Sequence, residues 1–220
     1  MRIVLIEDHL IIREAVRRAC TQEFGHEVVA ESELGATGVQ LASRFKPDVV
    51  LLDLGLPDMD GFAVAAVILK ALPATRVLVL SGSLDDYTVF RVEKAGVHGF
   101  IDKGTNTVAQ VRDALDALSA GKTYYSPAFS TARLARRNDP ASFEKVLSES
   151  EQEILSLIGE GLTDEEIGLR LGISPATSQT HRSNILKKLH IKGTPKLVAF
   201  AVRHGFTRLP GRGYLPLRQP

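Results

Sequence analysis

The sequence predicts an α/β domain on a doubly wound, five-stranded parallel sheet, followed by a small all-α domain of four helices. Three observations carry this. Short β-branched runs alternate with helical stretches through about Met1–Ala120. Val49-Val50-Leu51-Leu52 and Val77-Leu78-Val79-Leu80 are unbroken apolar runs, the pattern of strands covered on both faces. Beyond residue 146 helix-start signals recur and strand patterns stop.

The expected strands are Arg2–Ile6, Glu27–Glu31, Asp48–Leu52, Arg76–Leu80 and His98–Ile101. Between them, helical periodicity spans Ile11–Gln22, Gly35–Phe45, Gly61–Ala71, Asp85–Ala95 and Asn106–Ala120. Such alternation implies right-handed crossovers. Tyr124-Tyr125-Ser126-Pro127 reads as a turn, Ala128–Arg137 as a short helix, and Asn138-Asp139-Pro140 as its end. Residues 121–145 are therefore expected to link a first domain, 1–120, to a second, 146–206.

In the second domain, Ser148 with Glu151 and Thr163 with Glu166 have capping-box spacing. Ser174-Pro175 places an N-cap before a proline at the first helical position. A fourth helix is expected near Pro195, and the tail from 207 to 220 reads as disordered.

Composition narrows the class. With 44% hydrophobic and 24% charged residues, the 220-residue chain is globular. One cysteine, Cys20, excludes an internal disulfide and fits a reducing, cytoplasmic setting. The apolar run Ile3–Ile6 is stopped by Glu7 and Asp8, too early for a secretion signal, and no apolar stretch is long enough to span a membrane. The net charge of +1 conceals an asymmetry. Ile167–Pro220 holds ten basic and no acidic residues, leaving 17 basic against 26 acidic before it, a net of −9. A basic end on an acidic body suggests a polyanion-binding terminus, although a merely soluble basic tail has the same composition.

Ligands of open parallel sheets bind at the carboxyl ends of the strands. Glu7 and Asp8 follow the first expected strand, Asp53 the third, Ser81 the fourth and Lys103 the fifth. Carboxylates converging on one edge repel unless a cation joins them, and Mg²⁺ suits an all-oxygen set that keeps water. Asp53 can then act as a nucleophile toward phosphorus, with Lys103 neutralising phosphoryl oxygens and the Ser81 hydroxyl donating a hydrogen bond. Taken singly, Asp8 could be a helix cap, Ser81 a turn residue and Lys103 a solvated charge. Their joint arrival at successive strand ends argues for a site.

The segments Ile6-Glu7-Asp8-His9, Leu52-Asp53-Leu54-Gly55-Leu56-Pro57-Asp58-Met59-Asp60-Gly61, Leu80-Ser81-Gly82 and Gly99-Phe100-Ile101-Asp102-Lys103 resemble the receiver domains of bacterial two-component systems. The resemblance implies a flavodoxin-like fold and Asp53 as phospho-acceptor, supplied by a sensor histidine kinase. It implies Mg²⁺ on Glu7, Asp8, Asp53 and the backbone carbonyl of Gly55, with Ser81 and Phe100 as the switch pair. Phe100 stands where tyrosine is frequent, and it also reads as a core aromatic. Slow self-dephosphorylation is expected, but not turnover of a substrate: Leu54 and Gly55 follow Asp53 directly, so the second Asp of an aspartyl-phosphate hydrolase is missing.

On a helix beginning after Ser174, Ile185 and Leu189 set the core stripe, and Ser178, His181 and Arg182 fall on or beside it. The opposite face carries Ala176, Gln179, Thr180, Ser183 and Lys187. Small polar residues on a helix that follows another helix and a tight turn can read a major groove. Arg182, Lys188 and Lys192 would flank it and reach phosphates.

Leu147-Ser148-Glu149-Ser150-Glu151, Glu160-Gly161-Leu162-Thr163, Leu171-Gly172-Ile173-Ser174, Thr177, Thr180-His181 and Ile185-Leu186-Lys187-Lys188-Leu189 resemble the LuxR-type (NarL-like) helix-turn-helix. This implies that Ser174–Leu189 contains the recognition helix, with Thr177 among its contacts on double-stranded promoter DNA. It also implies a homodimer contact through the last helix, where Leu197, Val198, Ala201 and Val202 serve either the dimer or simple packing. Three residues depart from the family: Ser178 replaces a usual buried valine, Gln179 a common lysine and Thr194 a common arginine. The sequence thus favours a phosphorylation-gated transcription factor, with a protein-interaction regulator of weakened DNA binding as the alternative.

Overall fold

The computed structural model describes residues 1–104, 107–140 and 142–207. They form two compact units, the first comprising Met1–Leu84 and Val89–Thr131, the second containing the helices that follow Ala132.

The first unit is a parallel sheet with strands β1 (Arg2–Ile6), β2 (Glu27–Ser32), β3 (Val49–Asp53), β4 (Arg76–Ser81), β5 (Gly99–Asp102) and β6 (Tyr124–Tyr125), in the order β2-β1-β3-β4-β5-β6. The order reverses between β1 and β3, creating the crevice where open α/β sheets bind ligands. The crossovers are α1 (Leu10–Arg18), α2 (Gly35–Phe45), α3 (Gly61–Ala71) and α4 (Asp86–Lys94), and α5 (Thr107–Ser119) follows β5. Every residue of β3 is buried, which explains its unbroken apolar run. On one face of the sheet, Ile3, Leu5, Val49, Leu51, Leu78, Leu80 and Ile101 pack with Val16 of α1 and Val111 and Leu115 of α5.

The expected five strands are present, the first as expected and the other four with one or both ends moved by one residue, and the sheet has a sixth. Tyr124-Tyr125, expected as a turn, pairs with Gly99 and Phe100 of β5. Tyr125 donates its hydroxyl to the Val97 carbonyl, 3.1 Å away. Two residues are too few to show strand alternation, and Ser126-Pro127 beside them gives a turn signal. The first helix also differs from its expected course: after Arg18 it widens into a π-helical turn, Ala19–Glu23.

Among the described residues of the expected linker, α6 runs Pro127–Asn138 and a single turn, α7, begins at Phe143 and spans Phe143–Val146. The second unit continues with α8 (Glu149–Gly159), α9 (Asp164–Leu171), α10 (Pro175–Lys188) and α11 (Thr194–Arg203). Both capping boxes form, Ser148 with Glu151 and Thr163 with Glu166. Gly172 ends α9 at φ +68°, a left-handed conformation that glycine adopts without steric cost, and so turns the chain into α10. Of the tail expected to be disordered from 207, Thr207 is buried and donates its hydroxyl to the Ser156 carbonyl at 2.7 Å, and residues 208–220 lie outside the described residues.

Candidate functional site

The acidic residues meet because their strands are neighbours. Glu7 and Asp8 leave β1, Asp53 ends β3, Ser81 ends β4, and Lys103 follows β5. These four strands are consecutive in the sheet, so all five side chains come to one edge. The Lys103 ammonium stands 2.7 Å from Glu7 Oε2 and 3.0 Å from Asp53 Oδ1, and its backbone N–H donates to the Ser81 carbonyl at 2.9 Å. Glu7 and Asp53 are buried, whereas Asp8 and Lys103 remain partly exposed. Burial, reinforced by the charge of Asp53, pushes the Glu7 pKa up against the opposing pull of Lys103.

Asp8 is not a helix cap. His9 occupies the N-cap of α1 without a side-chain cap bond, and Asp8 Oδ1 lies 2.6 Å from His9 Nδ1. One ligand atom from each of Glu7, Asp8, His9 and Asp53 falls within a 4.8 Å cluster. The carboxylate-rich donor set, with Glu7 and Asp53 buried side by side, fits a hard divalent cation. Gly55 lies two residues past Asp53, partly exposed. Ser81 is buried, and its Oγ accepts the Ser83 N–H at 3.1 Å. Phe100 is fully buried, its ring 4.8 Å from that of Phe129.

Sequence reasoning assigned no role to three residues that shape this edge. His9 joins the cluster. Asp58 accepts the N–H groups of Gly35 and Ala36 at 2.7 and 2.9 Å, capping α2 from a distant loop; no local pattern announces that bond. Asp60 caps α3 through the Phe62 N–H and pairs with Arg91; its position just before the periodic run from Gly61 was a readable signal.

In the second unit, Ala176, Thr177, Gln179, Thr180, Ser183 and Lys187 of α10 are exposed, as is Lys192 beyond it, while Ser178 and Ile185 are buried. The polar face therefore points outward as its periodicity required. Two flanking bases are engaged inside the unit: Arg182 with Asp164 and Thr194, and Lys188 with Glu151. Thr177 takes part in the helix start, where its Oγ1 lies 2.7 Å from Ser174 Oγ. Leu197 and Ala201 of α11 are fully buried, which fits packing within the unit. Val198 and Val202 are partly exposed.

Comparison with known proteins agrees with both halves. The model for the response regulator receiver domain matches residues 3–116, and that for bacterial regulatory proteins of the luxR family matches residues 145–201. The chain belongs to the response regulators that join a receiver to a LuxR-type DNA-binding domain. It is 32% identical over 204 residues to the response regulator protein VraR of Staphylococcus aureus, covering 93% of this chain and 97% of that one. Among solved structures, it resembles RcsB from Salmonella enterica serovar Typhimurium bound to a promoter with phosphomimetic BeF3-, at 23% identity and TM-score 0.65, covering 91% of this chain and 97% of that one. A LuxR-family two-component response regulator from an Aurantimonas species is 29% identical with TM-score 0.59, covering 63% and 98%. Among the described residues no helix is long and apolar enough to cross a membrane.

Proposed function

We propose that Asp53 accepts a phosphoryl group from a sensor histidine kinase and that this controls dimerisation and promoter binding through α10. The observation that carries the reading is the Lys103 ammonium seated between Glu7 and Asp53 at the strand-end crevice. A carboxylate oxygen of Asp53 forms the new P–O bond as the P–N bond of the donor phosphohistidine breaks. Lys103, already 3.0 Å from Asp53, neutralises charge on the incoming phosphoryl oxygens, and Ser81 can turn its hydroxyl toward them. Glu7, Asp8, Asp53 and the Gly55 carbonyl would hold Mg²⁺, which supplies further neutralisation of that charge.

In this reading residues 1–120 sense, 121–145 connect and 146–206 read DNA, in the cytoplasm, as a homodimer when phosphorylated. Gln179, Thr180, Ser183 and Lys187 supply the reading face and Lys192 a phosphate contact. The RcsB complex with a promoter and a phosphomimetic supports it by likeness of fold. A gel-shift series on the protein's own promoter, with and without acetyl phosphate, tests it. Tighter binding after phosphorylation, lost in Asp53→Ala, is expected. Equal affinity in both states overturns gating, and absence of any salt-dependent binding favours the protein-interaction alternative.

A further inference from the structure

Two of the three departures of the reading domain from its family pattern, Ser178 and Thr194, are not independent. Ser178 is fully buried and donates its hydroxyl to Asp164 Oδ1 at 2.9 Å. One turn later on the same helix, Arg182 reaches the other oxygen, Asp164 Oδ2, at 2.5 Å, and donates to Thr194 Oγ1 at 3.0 Å. Asp164 is the first residue of α9, Ser178 and Arg182 lie four apart on α10, and Thr194 begins α11. One carboxylate thus grips two successive turns of the reading helix, and the guanidinium extends that grip to a third helix. A valine at 178 could make no such bond, and the buried hydroxyl would be costly without its acceptor.

We infer that Asp164 is a positioning residue that sets the pose of α10 through Ser178 and Arg182, and that Arg182 acts inside the domain rather than on a DNA phosphate. The inference rests on the DNA-reading role proposed above. It also turns Ser178 and Thr194 from signs of a decayed surface into parts of one device.

The charge of Asp164 makes the idea separable from bystander effects. Removing a carboxylate near a polyanion should strengthen binding by electrostatics alone, whereas removing a positioning residue should weaken it. The experiment uses the full chain and a 30-bp duplex carrying the site it selects from a random library, with anisotropy titrations across a salt series. Asp164→Ala is expected to lose about tenfold or more in affinity, with Ser178→Val in the same chain recovering part of the loss. Arg182→Ala is expected to lose affinity at an unchanged salt slope. Affinity equal to or above wild type in Asp164→Ala overturns the inference. So does a drop of about 0.9 in the slope for Arg182→Ala, the signature of one lost phosphate contact. If Asp164→Ala does not fold, Asp164→Asn keeps an acceptor for Ser178 and removes only the charge for Arg182, and the same criteria apply. If the wild-type chain selects no duplex, the DNA reading fails. The device is then decided by a stability cycle of Asp164→Ala with Ser178→Val, in which coupling below about threefold in the unfolding constant overturns it.

Discussion

The ring of Phe129, near the start of α6, lies 4.8 Å from that of Phe100 on β5, and both side chains are wholly buried. Tyr125 stacks on Phe129 at 5.2 Å. Phe100, the aromatic that the family resemblance assigns to the switch, is therefore part of a cluster supplied by the segment that follows α5. Truncating Phe129 to alanine removes one wall of that cluster and is expected to cost about 3–5 kcal/mol, read as a lower denaturant midpoint for the receiver unit. A receiver fragment ending at residue 120 should be less stable than one ending at 131, because it lacks both β6 and Phe129 and leaves an open β5 edge. Equal midpoints for the two fragments would contradict this packing.

Gly61 opens α3 against the backbone of Asp53, the proposed phospho-acceptor, and Leu54. A Cβ placed there would stand 2.5 Å from the Leu54 Cα and 2.7 Å from the Asp53 carbonyl oxygen. Both are backbone atoms, so either the end of β3 at Asp53 and Leu54 or the start of α3 must move. Gly61→Ala is expected to destabilise by about 1–3 kcal/mol and to slow labelling by acetyl phosphate severalfold at temperatures where the protein stays folded. Labelling at the wild-type rate would show that the backbone yields without disturbing Asp53.

Glu151 closes the capping box of α8 and accepts the Lys188 ammonium at 2.7 Å. Burial pushes its pKa up, but the bonds from Lys188 and from the Ser148 N–H and hydroxyl pull it further down, leaving it below the ordinary 4.5. A carboxyl depressed in the folded state contributes stability that is present above its unfolded pKa and is lost as pH falls through the folded one. The second unit should therefore lose stability as pH drops below about 4.5, and Glu151→Gln should flatten that part of the profile. At neutral pH the same change is expected to cost about 1–3 kcal/mol through the lost charge-assisted bonds. Thermal melts across the acid range check both expectations.

How much of this could be read from the chain follows the range of the interactions. The strands, both capping boxes and the polar face of α10 rest on local periodicity or three-residue spacings, and they stand where the sequence places them. The pocket acids were legible because a parallel sheet gathers strand ends, whatever the loops do. What escaped depends on contacts between residues far apart or too few to form a pattern. The two-residue strand Tyr124-Tyr125 exists only because Gly99 and Phe100 offer it an edge. Asp58 reaches α2 across more than twenty residues. The bond of Arg182 to Asp164, 18 residues earlier on another helix, has no local pattern to announce it.

The pocket itself makes a prediction that does not depend on transfer chemistry. Glu7 is fully buried beside Asp53, and the two carboxylates share the Lys103 ammonium, with the exposed His9 ring 3.5 Å from Glu7. Two buried anions against one cation leave uncompensated negative charge, and desolvation adds to the cost. A bound divalent cation offsets both. Glu7→Gln removes one of the charges, so in EDTA the variant is expected to melt higher than wild type. Added Mg²⁺ should raise the wild-type melting temperature by mass action and raise that of Glu7→Gln less, because a carboxylate ligand has been lost. A variant that melts lower in EDTA would mean that the Glu7–Lys103 pair stabilises the empty pocket more than the crowding with Asp53 destabilises it. An equal Mg²⁺ response in both proteins would remove Glu7 from the metal site.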